Sequence, residues 1–320
     1  MHFINSKLEP YFEYCFTSIQ NKLFRIVQSP VATILMLHRV EKRRHSNIPC
    51  FNSLIISPEF LENTIQWYMK NNYSFISISE LLEELNIPKK SKNGKKIVIS
   101  VDDGYKDTYE NAFPIFMKYN VPFIFYVSSA FPNKKIPLWW NYLNDLITNN
   151  TRLVLKNGLI LSCDTIEKKQ KIYIYLSKEI LKMGDNLTDS FNFLFNETIT
   201  EVIEKYEHML IDWQDIQDMS KNTICSVGAH TTNHLGLRYC DYKFLLKDII
   251  ENKVKIESVI NKAVEHFAYP YGTHFSVGRR DHKIAQNAGF RTAVVAYSSD
   301  VFPYHRNELY CLPRVMLHEW

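Results

Sequence analysis

Two adjacent carboxylates and two histidines four residues apart are the groups in this chain whose types and spacing could do chemistry together. Asp102 and Asp103 lie in Ser100-Val101-Asp102-Asp103-Gly104, and His230 and His234 lie in the GAHTTNH stretch at 228 to 234. One carboxylate and two imidazoles form a three-ligand set that leaves a divalent cation an open position for water. The second carboxylate can take that water's proton. Neighbouring side chains at a strand end point in different directions, so one aspartate can bind the ion while the other faces the water. Residues four apart on a helical turn share a face, so the histidine pair is expected on such a turn, with both rings aimed at one ion. Asp-Asp-Gly alone is also common turn chemistry, and a lone histidine pair is often a helix surface. The two motifs together predict a metal-dependent hydrolase.

These groups need elements to position them. Short apolar runs, rich in β-branched or aromatic residues, occur at 31–37, 96–101, 121–129, 223–229, 266–270 and 292–297. Helix-like stretches lie between them, such as SPEFLENTIQWYMKNN and YKFLLKDIIENKVKIESVINKAV. Buried strands alternating with helices imply a parallel sheet, open or closed, whose chemistry collects at the carboxyl ends of the strands. Asp102, Asp103, His230, Tyr271 and His38 all fall where an apolar run ends, so one rim is expected to gather them. Between about 133 and 220 the rhythm changes to aromatic and polar helical segments around a hairpin signal with Asn157 and Gly158 at its turn, which reads as a mainly helical insertion. Trp139 and Trp140 open it and are expected to pack inward, with stacking on a sugar as the alternative.

The 320 residues, 46% hydrophobic and 22% charged, suit one large α/β domain at 31–320 with that insertion, preceded by a helical extension at 1–30. A net charge of +4 with dispersed Lys and Arg does not suggest nucleic-acid binding, and the run KKSKNGKK at 89–96 reads as a solvated loop. Six scattered cysteines without a CxxC pair argue against a thiolate metal site or a disulfide framework. No secretory signal or uninterrupted apolar span is visible, so the protein is expected to be cytoplasmic. The amphipathic stretch at 11–27 is expected to pack on the domain, with peripheral membrane association as the alternative.

The order strand, Asp-Asp-Gly, strand, Gly-Ala-His-Thr-x-x-His, strand, Tyr-Pro-Tyr-Gly resembles the polysaccharide deacetylase family, also called the NodB-homology or carbohydrate esterase 4 family, over about 31–131 and 210–318. The resemblance implies a distorted (β/α) barrel of about seven parallel strands that removes acyl groups from sugars with zinc or a similar divalent ion. It assigns Asp102 as general base, Asp103, His230 and His234 as metal ligands, and Thr231 as a brace for the histidine loop. It also implies that the Tyr271 N–H polarises the acyl oxygen, with Pro270 among the substrate-binding residues and the rings of Tyr269 and Tyr271 lining a sugar cleft. The family's third motif usually carries an arginine beside the base. Here Ala268-Tyr269-Pro270-Tyr271-Gly272 lacks it, and Arg314 in LPRVMLH is the proposed replacement. His318 in Met316-Leu317-His318 is a loose match to the family's acid motif and is the expected general acid, while His38 is expected to shape the site or contact substrate.

The function expected from these residues is hydrolysis of an N-acetyl group from a sugar, in a lipid-linked or nucleotide-linked precursor of a surface glycan. A sugar deformylase or O-deacetylase on the same scaffold, or a glycan-binding protein without catalysis, remain the alternatives.

Overall fold

A computed structural model of the protein describes residues 29–42, 46–87 and 95–319. The helical extension expected at 1–30 and most of the lysine-rich run at 89–96 therefore lie outside the described residues. Each apolar run forms a strand: β1 (Thr33–Leu37), β2 (Lys96–Asp103), β3 (Phe123–Val127), β4 (Cys225–Ala229), β5 (His266–Ala268) and β6 (Thr292–Val294). A two-residue strand absent from the sequence reading, β7 (Val315–Met316), completes the set. The spatial order is β6-β5-β4-β3-β2-β1-β7, every pair parallel, and the short strand Ser74–Phe75 lies beside the start of β2.

The sheet curls until its edges meet. Val295 N donates to Leu312 O and Arg314 N to Tyr297 O, while Leu35 pairs with Val315, so the segment leading into β7 bridges β6 and β1. This is the distorted parallel barrel that the motif order implied.

Alternation along the strands decides what faces where. In β2, Ile97, Ile99 and Val101 join the core between sheet and helices, with Phe123, Phe125, Val127 and Phe267. Val98 faces the barrel interior with Ile34, Ile124, Tyr126 and Val294. Two residues on, Ser100 and then Asp102 continue that inner column, and Ser100 Oγ donates to Leu35 O. Asp102 is thus carried inside the barrel by the pleat.

The insertion has its own core, in which Leu138, Tyr142, Leu143, Ile172, Phe191, Phe195 and Val202 pack together and meet Tyr105 and Phe131 from the barrel loops. The hairpin Arg152–Val154 with Ile160–Ser162 is antiparallel, and Gly158 supplies the left-handed residue at its turn (φ 84°). One boundary differs from the expectation of 133–220. The helix Trp213–Lys221 buries Ile216 and Met219 in the barrel's core, because its apolar positions match the outer face of β4 rather than the insertion. Five cysteines among the described residues are free thiols. No helix of the described residues is long and apolar enough to cross a membrane.

Gly228 in β4 shows how tightly the strands approach: a Cβ there would lie 2.4 Å from the Tyr126 ring and 3.0 Å from His266 O. Tyr126 is fully buried, so Gly228→Ala is expected to destabilise the fold by about 1–3 kcal/mol, read as a lower urea midpoint at unchanged m-value.

Candidate active site

β2 ends in the two aspartates, and their partners arrive from opposite directions around the barrel. Asp102, 2% exposed, receives a bidentate pair from Arg314: Nη1 to Oδ1 at 2.7 Å and Nη2 to Oδ2 at 2.6 Å. Arg314 is itself fixed, its Nε donating to Val295 O and its Nη1 also reaching Ser100 Oγ. Burial opposes charge on Asp102, but the guanidinium of Arg314 and the nearby imidazoles of His230 and His38 outweigh it and hold the carboxyl below the usual range.

Asp103 turns the other way. Its φ of 84° lets the chain leave β2 sharply, and Oδ1 lies 3.3 Å from His230 Nε2 and 3.0 Å from His234 Nε2. One ligand atom from each of the three buried residues lies within 4.8 Å of the others. Burial raises the Asp103 carboxyl, yet the close imidazoles of His234 and His230 hold it well below the ordinary value. Burial in turn pushes the His234 imidazole down despite Asp103, favouring the neutral ring that can donate a lone pair.

The histidines are not on a helical turn, which corrects the sequence reading. Residues 230–236 run as a loop, with Thr231 (φ 62°) and His234 (φ 50°) in the left-handed region, and Thr231 Oγ1 accepts from His234 N at 3.0 Å. The spacing of four brings the rings together through this folded-back loop. Among the described residues eight non-glycine positions have positive φ, and four of them, Asp103, Thr231, His234 and Tyr271, are here; such strain gathers at functional sites.

His230 Nδ1 lies 2.8 Å from Ala268 O, which accepts its proton and leaves the Nε2 lone pair facing Asp103. A carboxylate oxygen and two Nε2 atoms, converging in a buried site, are the donor set that a divalent ion such as zinc takes.

Around this centre, Tyr271 packs its ring 4.8 Å from that of His234 and donates its hydroxyl to His234 O, and Pro270 is buried with its carbonyl accepting from Gly272 N. Tyr269 does not line a cleft. Its ring is fully buried against Phe267 and its hydroxyl donates to Tyr310 O, since alternation beyond β5 sends it to the outer core. Trp139 and Trp140 pack inward, and they also wall the site: Trp140 lies 5.3 Å from His234, Trp139 6.0 Å from Tyr271, and Trp140 Nε1 donates to Tyr105 OH.

His38 follows β1 directly, close enough for its imidazole to influence Asp102, Asp103, His234 and His318. Its Nδ1 is buried without a hydrogen-bond partner, and the ring borders a cavity of about 10 Å3 shared with Asp103, Phe51, Tyr105 and Trp140. His318 is half-buried, with Nδ1 3.3 Å from Ser53 O, and burial lowers its pKa. Arg39 was not singled out from sequence. It binds Asp107 and Glu41 and stacks over Tyr105 at 4.3 Å, tying β1 to the loop after Asp103.

A family profile described as polysaccharide deacetylase matches residues 89–293. No curated protein matches the chain in sequence. Among solved structures, the chain is similar to Streptococcus pyogenes deacetylase PplD in complex with acetate (TM-score 0.57, 17% identity, covering 90% of this chain and 93% of that one). It is also similar to a de-N-acetylase from Aggregatibacter actinomycetemcomitans (0.56, 16%, 90% and 95%) and to IcaB from Ammonifex degensii (0.53, 16%, 91% and 93%). At these identities the likeness concerns the fold.

Arg314→Met would remove the strongest of the groups that oppose burial at Asp102, leaving the imidazoles of His230 and His38, so its pKa rises. The acid limb of the kcat/KM profile is therefore expected to move to higher pH by a unit or more, with Arg314→Lys intermediate because it keeps the charge but not the fork. An unmoved limb in Arg314→Met would show that the pair does not set the ionisation of Asp102.

Proposed function

This chain belongs to the polysaccharide deacetylase family, and we propose that it removes the N-acetyl group from a sugar with the help of a divalent ion, zinc in the first instance. The observation that carries the reading is the convergence of Asp103, His230 and His234 beside an independently charged Asp102. A cation held by those three residues would supply Lewis acidity toward the acyl oxygen and toward water. Asp102, kept ionised by Arg314, accepts the proton of the attacking water on its carboxylate. The Tyr271 N–H, at the sharp turn after β5, donates to the oxygen on which negative charge develops. Walls formed by the buried Trp140 and Tyr105 and the partly buried Tyr271 shield these charges from bulk water.

The leaving nitrogen needs a proton. His318 is the proposed donor, and His38, whose unpartnered Nδ1 lies beside the cavity shared with Asp103, is a second candidate. The acetamido sugar of a lipid-linked or nucleotide-linked glycan precursor is the substrate class we infer. Deformylation or O-deacetylation would use the same residues, and the substrate and the acid released distinguish them.

Zinc measured by elemental analysis in the purified protein and in His230→Ala, with acetate and formate release from a panel of acylated sugars, tests this reading. Stoichiometric metal lost in His230→Ala, with acetate released by the wild type, is the expected result; a chain that takes up no metal would overturn it. Asp102→Asn is expected to keep its metal and lose about 10²–10⁴-fold in kcat. Comparing His38→Ala with His318→Ala assigns the acid, since the donor's removal should abolish the basic limb of the kcat profile while the other variant retains it.

A further inference from the structure

The left-handed loop that carries both histidines is held from outside by one face of the helix Tyr242–Ile260. Asn252, fully buried, accepts from His230 N through Oδ1 at 3.0 Å and donates through Nδ2 to Val127 O at 3.1 Å. Its amide thus bridges the ends of β3 and β4 where the sheet ladder stops. One turn earlier on the same face, Asp248 accepts from Thr232 N at 2.7 Å and from Asn233 Nδ2 at 2.5 Å, and its backbone carbonyl accepts from Thr232 Oγ1. The loop is connected on to the third ligand: Thr232 O accepts from Ser128 Oγ and Ala130 N, and Ser128 N donates to Asp103 O.

We propose that Asp248 and Asn252 are positioning residues for the metal centre, setting the distance between the two histidine nitrogens and the Asp103 carboxylate without touching the ion or the substrate. Residues without a glycine's freedom resist left-handed backbone at Thr231 and His234, and the hydrogen bonds from this helix face offset that resistance. Releasing them lets the loop relax toward ordinary dihedrals and draws the ligand atoms apart. The proposal rests on the metal-dependent reading above.

The test is metal retention. Wild type, Asn252→Ala, Asp248→Asn and the double variant Asp248→Asn/Asn233→Asp are loaded with zinc and titrated with a competing chelator, with the thermal midpoint of each metal-free chain measured alongside. Removing a group that orients metal ligands weakens binding by about 10–100-fold, and that loss is expected in Asn252→Ala and Asp248→Asn. The double variant exchanges donor and acceptor across the Asp248–Asn233 bond, so it should recover affinity. Should Asn252→Ala not fold, the Asp248→Asn single and double variants carry the comparison. Singles that lower the metal-free midpoint but keep wild-type affinity would overturn the proposal and make the pair a helix-docking contact. A wild type that binds no zinc would instead overturn the proposed function.

Discussion

Two neighbouring carboxylates, 2% and 5% exposed, must both be charged, and the architecture of this protein follows from that constraint. Taking a carboxylate out of water costs several kcal/mol even after relaxation, and two side by side would repel each other in addition. The chain gives each its own counter-group. Arg314 meets Asp102 from inside the barrel, and the His230–His234 loop meets Asp103 from the rim. The alternation of β2 separates the two side chains, and the left-handed backbone at Asp103 completes the separation.

That arrangement explains why the barrel must close. Arg314 lies 212 residues from Asp102 in sequence, and it reaches it only because the segment entering β7 bridges β6 and β1. The histidines require β4 to lie next to β3, itself next to β2, so that the loop after β4 overhangs the end of β2. The insertion contributes from the third side, where Trp140 covers His234 and meets Tyr105. Catalytic power in this reading comes from one base with a private cation and one ligand set with a private loop, two electrostatic environments a single residue apart.

Much of this was legible in the residues. The six apolar runs became strands in order, because parallel strands buried on both faces read as near-continuous apolar segments. The ligand set stood out because Asp-Asp-Gly and the histidine pair each follow such a run. What spacing could not reveal was conformation: His-x-x-x-His is compatible with a helical turn, whereas the left-handed loop is tied by bonds to residues remote in sequence, Asp248, Asn252, Ser128 and Tyr271 among them. Asp248 and Asn252 looked like ordinary polar positions of an amphipathic helix. The strand β7, two residues long, has no periodicity to detect, and Tyr269 differs from Tyr271 only by a strand's alternation carried past its end. The resemblance, with its third-motif arginine missing here, suggested Arg314 as the replacement, and its contact with Asp102 depends on barrel closure, a property of the whole chain.

The central claim is that Asp103, His230 and His234 bind one divalent ion while Asp102 stays outside its coordination. Anomalous diffraction at the zinc edge, from crystals grown with zinc, tests it most directly. The account predicts a single strong peak bonded to an Asp103 oxygen and the two Nε2 atoms, with Asp102 still paired to Arg314. A peak ligated by Asp102 in place of Asp103, or none at this position at full zinc loading, would contradict it.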